Sequence, residues 1–412
     1  MKNVIVRSNC IVTCNESSEI LDGFIHVIDG IIAEVGKGDA PVRCFNRETR
    51  YVDTRGKTVT PGLIDAHTHL VHGGSRENEL ALKLKGTPYL EILKKGGGIL
   101  STVESTRKST KEELKTKARK SLDQMLIHGT TTIEAKSGYG LDFETEVKCL
   151  KTALELNEEH PVDIINTYLG AHAIPKEYKD NIENYMTFMT DEVMPYVSEN
   201  HLAEFMDVFC EEGIFSPQQS RILMEAGKTF GLKLKIHADE IVPLKGAELA
   251  SEMQAVSADH LLAVSEEGID AMSKAGVTAV LLPGTSFYLM LGKYANARKM
   301  MNRGVRVAIA TDYNPGSCPT ENMQEIMTYA CFGMKLLPEE IIRCMTINAA
   351  YAIDRSKEIG SIECGKKADM VVFNAPNLEY IFYHFGINHV DKVIKDGKLV
   401  VENGRLIEGV RI

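Results

Sequence analysis

Strand followed by helix, repeated eight times between two β-textured ends, limits this chain to folds that cover a parallel sheet with helices. The eight apolar, β-branched runs are Leu63–His69, Thr130–Lys136, Asp163–His172, Phe205–Glu211, Leu232–His237, Ser257–Leu261, Thr278–Leu282 and Val305–Asp312. Helical segments separate them. Ser216-Pro217 reads as an N-cap with proline at the first helical position, and Ser265-Glu266-Glu267 puts acid into a first turn. Eight such units fit a closed (β/α)8 barrel better than an open doubly wound sheet, and no Gly-x-Gly-x-x-Gly follows a strand.

The flanks differ in texture. Val4-Ile5-Val6, Ile11-Val12-Thr13, Phe24–Ile28 and Ile31–Val35 are β-branched, with an Asp29-Gly30 turn. Ala368–Phe373, Val390–Ile394 and Leu399–Val401 repeat that pattern around Asp396-Gly397. Neither end has enough apolar residues to stand alone. The expected organisation is a TIM-like barrel over 61–358 and a small β-sandwich domain built from 1–60 and 359–412.

Barrel active sites sit at the carboxyl ends of the strands. There the sequence places His67 and His69, then Glu134 and Lys136 with Tyr139 beyond, then His172, His237 with Glu240, Asp259-His260, and Asp312. Five of the twelve histidines fall at these ends, a concentration that scattered structural histidines would not produce. In Ala66-His67-Thr68-His69 the two imidazoles share a strand face about 7 Å apart. Together with His237 and Asp312 they make a mixed N/O donor set suited to zinc or iron, with room for water. Along the last run Val305, Val307 and Ile309 are expected to pack outward, leaving Ala308, Ala310 and Asp312 facing in.

Such a metal lowers the pKa of its water and polarises a carbonyl, so hydrolysis by metal-bound hydroxide is the expected chemistry. Glu240, His260 and Asp312 are the candidate bases, Glu240 first as proton shuttle with His260 on the carbonyl oxygen. Lys136 allows a rival dinuclear centre bridged by a carboxylated lysine. Its plainer role is an amine paired with Glu134 or a neighbour.

The net charge of −10 argues against a nucleic-acid binder. With no signal-like segment and no apolar run of about 18 residues, a cytoplasmic protein that neither binds nor crosses a membrane is expected. Nine scattered cysteines without Cys-x-x-Cys read as reduced thiols.

These residues resemble the amidohydrolase superfamily over nearly the whole chain. His-x-His alone says no more than that. The runs Gly73-Gly74-Ser75-Arg76-Glu77-Asn78-Glu79, Lys136-Ser137-Gly138-Tyr139-Gly140, Leu169-Gly170-Ala171-His172, His237-Ala238-Asp239-Glu240 and Thr311-Asp312-Tyr313-Asn314-Pro315-Gly316-Ser317 resemble its imidazolone-opening branch in histidine degradation. The resemblance implies one zinc or iron ion per chain on His67, His69, His237 and Asp312, which speaks against a bridging Lys136. It implies hydrolysis of 4-imidazolone-5-propanoate to N-formimidoyl-L-glutamate, with Arg76, Tyr139, His172, Glu240, Asn314, Gly316 and Ser317 at the substrate. A guanidinium at Arg76 suits the propanoate tail, although an isolated arginine more often makes an ordinary salt bridge. Ser317 departs from the threonine usual in that branch and keeps the hydroxyl. A deaminase of the same superfamily, or another cyclic amidase, would use the same metal set. A non-enzymatic scaffold would have lost ligands. A homodimer is expected.

Overall fold

The structure, a computed structural model, describes residues 3–87, 91 and 97–407. Its N-terminal strands are β1 (Asn3–Val12), β2 (Ile20–Ile28), β3 (Ile31–Lys37), β4 (Arg50–Asp53) and β5 (Thr58–Pro61). The barrel strands follow as β6 (Leu63–Thr68), β7 (Thr130–Lys136), β8 (Asp163–Ala171), β9 (Phe205–Cys210), β10 (Lys233–Ala238), β11 (Ser257–His260), β12 (Thr278–Leu281) and β13 (Val307–Ile309). The chain ends in β14 (Met370–Phe373), β15 (Val390–Lys395), β16 (Lys398–Glu402) and β17 (Arg405–Leu406).

β6 to β13 pair in sequence order, every ladder parallel. The sheet closes just past the end of β13. Asp312 N donates to His67 O at 3.0 Å and His69 N to Tyr313 O at 2.8 Å. Beneath this seam the Asp65 carboxylate accepts both the amide and the hydroxyl of Thr311, at 3.0 and 2.6 Å. The eight expected strands are all present, the last shorter than Val305–Asp312. Beyond Ile309 the backbone turns across to β6, and Asp312 takes a left-handed φ of 57°, so the chain leaves the ladder there.

Alternation decides which way each side chain faces. Ala308 and Ala310 join Ile64, Ala66, Ile165, Phe205 and Val280 in a plug inside the barrel, closed from below by helix Ile347–Ala352. Val305, Val307 and Ile309 pack outside against the helices. The covering helices earn their position by pattern and capping. In Lys111–Ile127 the buried residues Leu114, Ala118, Leu122, Met125 and Leu126 form one stripe, and Thr110 and Glu113 make a capping box at its start. Ser216 with Gln219, and Ser265 with Gly268, cap the helices read from the sequence.

The termini make one nine-stranded sheet in the order β17-β16-β15-β14-β5-β1-β2-β3, with β4 on β1. β5 joins the two ends, parallel to β1 and antiparallel to β14. The sheet curls over a shared core of Val6, Ile11, Ile25, Val27, Ile32, Met370, Val372 and Ile394. The Asp29-Gly30 and Asp396-Gly397 turns touch, both with positive φ. The two short strands expected at Val4–Val6 and Ile11–Thr13 form one long strand. Its register shifts between Ser8 and Ile11, where the Ser8 hydroxyl accepts from Cys10 N. Among the described residues no helix is long and apolar enough to cross a membrane.

Candidate active site

The seam that closes the barrel also assembles the site. Because β6 and the segment after β13 share backbone hydrogen bonds, His67 and His69 stand directly against Asp312. The Nε2 atoms of both lie 3.5 Å from Asp312 Oδ1. The other carboxylate oxygen is occupied, accepting from Thr285 Oγ1 at 2.6 Å and Ser317 Oγ at 3.3 Å, which leaves Oδ1 aimed at the histidines. From β10, the His237 ring lies 4.6 Å from that of His67 and 5.9 Å from that of His69.

Buried carboxylates lie beneath two of the imidazoles, one of them hydrogen-bonded to its ring. Asp259 Oδ2 takes His67 Nδ1 at 2.6 Å, and Asp207 Oδ2 lies 3.1 Å from His237 Nδ1. Lys136 links the pair, its Nζ 2.7 Å from Asp207, 2.9 Å from Glu134 and 3.5 Å from Asp259. Lys235 stands 3.4 Å from the other Glu134 oxygen. Two ammonium groups against three carboxylates form a closed network in a fully buried layer. Burial would push the Lys136 pKa down, but the three carboxylates reverse this and hold it above the ordinary range. It is thus an ammonium paired with Glu134, as its plainer role required.

The donor set fits a divalent ion. Burial holds His67 and His69 well below the usual imidazole pKa, in the neutral form that ligates. His67 Nε2 and both ring nitrogens of His237 are buried without a hydrogen-bond partner, and a buried polar atom left unpaired is costly. His67, His69 and Asp312 offer donors within 4.8 Å of one another, and so do His69, His172 and His237. Asp259, bonded to His67 Nδ1, supplies the outer support that metal-ligating histidines use, and Asp207 stands close behind His237.

Around this centre stand the other residues singled out by sequence. His260 Nδ1 is 3.5 Å from Glu240 Oε1. Burial, and next the Asp312 charge, raise the Glu240 pKa to about 8; a bound cation would favour its carboxylate form. His260 has a φ of 75° and Leu261 one of 60°, a local strain of the kind functional strand ends carry. The His172 ring stacks on His69 at 4.8 Å, and Tyr139 lies 5.2 Å from His172 and 5.5 Å from His69. Those three rings make one wall.

Arg76 packs against the 314–317 loop. Arg76 Nε and Nη2 are held by both oxygens of Glu79, at 2.9 and 2.8 Å. Nη1 lies so near Gly316 that a Cβ there would stand 2.2 Å from it, so a side chain at that position would displace the guanidinium. Asn314 serves its own loop. Its Oδ1 accepts from Gly316 N and Ser317 N at 2.8 Å each, and its Nδ2 donates to Asp312 O and Ser317 Oγ. Sequence reasoning missed the supporting set of Asp207, Thr285, Glu79 and Glu146. Two of them left a signal, Glu79 at the end of the Gly73–Glu79 run, where it was given no role, and Asp207 as a charge inside the apolar run Phe205-Met206-Asp207-Val208-Phe209.

Residues 58–400 match the family model described as the amidohydrolase family. The chain is 62% identical to an imidazolonepropionase of Treponema denticola over 93% of each chain. It is 59% identical to that of Alkaliphilus oremlandii (94% of this chain, 92% of the relative) and 48% identical to that of Streptococcus pyogenes (94% and 92%). Among solved structures it is similar in fold to a zinc-bound adenosine deaminase from Xanthomonas campestris, with a TM-score of 0.74, 18% identity and coverage of 99% and 94%. A zinc complex of atrazine chlorohydrolase from Arthrobacter aurescens superposes with a TM-score of 0.70, 18% identity and coverage of 99% and 97%.

Proposed function

The chain belongs to the amidohydrolase family and within it to the imidazolonepropionases, and on that premise we propose that it hydrolyses 4-imidazolone-5-propanoate to N-formimidoyl-L-glutamate in histidine degradation. The observation that carries the reading is the convergence of Asp312 Oδ1 with His67 Nε2 and His69 Nε2, beside the unpartnered His237 Nε2. We assign His67, His69, His237 and Asp312 to a single zinc or iron ion per chain. When bound, that ion supplies Lewis-acid chemistry, acidifying the attacking water and polarising the ring carbonyl.

The protein's own groups do the rest. Water adds to the ring carbonyl carbon, the ring C–N bond breaks, and the freed nitrogen keeps the electron pair and takes a proton. Glu240 receives the proton from water and returns it to the leaving nitrogen. His260 donates to the carbonyl oxygen as negative charge gathers there. His172 and Tyr139 bound the ring. Arg76, set by Glu79, binds the tail carboxylate. Gly316 lets the 314–317 loop close against the guanidinium, while Asn314 and Ser317 keep that loop folded and Ser317 steadies Asp312. We further propose that the enzyme works as a homodimer, which sedimentation equilibrium measures directly.

The test is turnover of 4-imidazolone-5-propanoate by purified protein, followed as loss of the substrate's ultraviolet absorbance with metal content measured on the same sample. Ring opening is expected. Metal-loaded protein without turnover removes the substrate assignment and moves the search to other cyclic amides and to deaminase substrates.

A further inference from the structure

The loop after β7 carries Tyr139 and, through the Gly138 carbonyl, holds His172 Nδ1 at 3.0 Å. Its shape is imposed from the following helix, Phe143–Glu159, which Asp142 caps. Glu146, buried in that helix's first turns, reaches back to the loop. Its carboxylate accepts from Gly138 N at 3.0 Å, Gly140 N at 2.7 Å and Leu141 N at 2.9 Å. Such charge-assisted bonds are stronger than neutral ones, and losing them would leave three buried amides unpaired.

The two glycines make this approach possible. Gly138 has a φ of +101°, and a Cβ there would stand 2.6 Å from Leu169 O and 2.9 Å from His172 Cβ. A Cβ on Gly140 would stand 2.6 Å from Glu146 N. From the outer side, Arg107 Nε donates to Gly140 O at 2.8 Å while the same side chain pairs with Asp142 and Glu177. The loop is thus held by its amides from within and by a carbonyl from without.

We propose that Glu146 is a positioning residue for substrate binding. It fixes the Ser137–Leu141 loop so that Tyr139 and His172 stand ready before substrate arrives, with Arg107 bracing the outer face. The proposal rests on the assignment of this site to 4-imidazolone-5-propanoate. Glu146 touches neither the metal ligands nor Glu240 in any bond described above. Its effect therefore falls on binding rather than on bond breaking.

The experiment compares Glu146→Gln with the parent in steady-state kinetics, metal content and amide hydrogen exchange over 137–141. The glutamine keeps the shape but turns donor hydrogens towards amides that already donate. KM should rise about tenfold or more with kcat much less changed, metal content unaltered and exchange in the loop faster. Should Glu146→Gln not fold, Arg107→Ala reads the same KM and exchange effects from the outer face. Unchanged KM with unchanged exchange overturns the proposal. So does a joint fall of kcat and metal content, which marks collapse of the whole site. A parent without turnover defeats the substrate assignment instead, and the exchange data alone then decide whether Glu146 holds the loop.

Discussion

Replacing Asp259 by alanine isolates what the buried carboxylates contribute to the metal centre. Asp259 Oδ2 is the only described partner of His67 Nδ1, at 2.6 Å, and its other oxygen accepts from Ser257 Oγ at 2.7 Å. Removing it leaves the His67 N–H buried and unpaired, a cost of about 1–3 kcal/mol. Lys136 is not orphaned, since Asp207 and Glu134 remain at 2.7 and 2.9 Å. Two ammonium groups then face two carboxylates, so the heavier cost of a stranded buried charge does not arise. Loss of such an outer partner typically lowers metal affinity about 10- to 100-fold, or roughly 1.4–2.7 kcal/mol. Asp259→Asn keeps an acceptor for the ring and should lose less than the alanine variant. Competition against a chromophoric chelator measures the affinities, and urea unfolding of the metal-free proteins measures the stability cost separately. An Asp259→Ala protein that binds metal within about twofold of the parent would refute the reasoning, because His67 would then need no orientation from behind.

Other outcomes follow from the same geometry. Glu240→Gln should lower kcat by about 10²- to 10⁴-fold with metal content unchanged; a small loss would move the shuttle role to His260. Arg76→Lys cannot reproduce the forked contact and should raise KM about ten- to a hundredfold. Gly316→Ala should resemble it, because its Cβ would press on Arg76 Nη1. His72 is held at a pKa of about 3, by burial first and by Lys117 second, against about 6.5 when unfolded. The unfolded chain therefore takes up this proton first as pH falls below about 6.5, and stability drops by up to about 1.4 kcal/mol per pH unit until about pH 3. In urea unfolding between pH 7.5 and 5, His72→Gln should show a shallower decline than the parent, and parallel curves would remove His72 from the account.

The barrel was legible because strand patterning and helix capping are local. Alternation along 305–312 told inside from outside, and turn chemistry at Asp29-Gly30 and Asp396-Gly397 announced the terminal hairpins. The rim followed from one rule about barrel ends applied to residues that the sequence displays openly. Partners that only the closed fold supplies were not legible. Glu146 reads in sequence as one more acid near a helix start, favourable there for the dipole alone, and nothing local shows that it turns back to three amides. Thr285 lies in a helix after β12 and meets Asp312 only once the barrel is complete. The early end of β13 belongs to the same class, since the crossing to β6 takes the chain out of the ladder.

The central claim is that one ion sits on His67, His69, His237 and Asp312, with Lys136 outside its shell. A crystal structure of the metal-loaded protein, with anomalous scattering recorded at the zinc and iron edges, tests it most directly. The account predicts a single peak about 2.0–2.2 Å from one nitrogen of each histidine and one oxygen of Asp312. A second peak beside a carboxylated Lys136, or a lone peak among His67, Glu134 and Asp259, would contradict it.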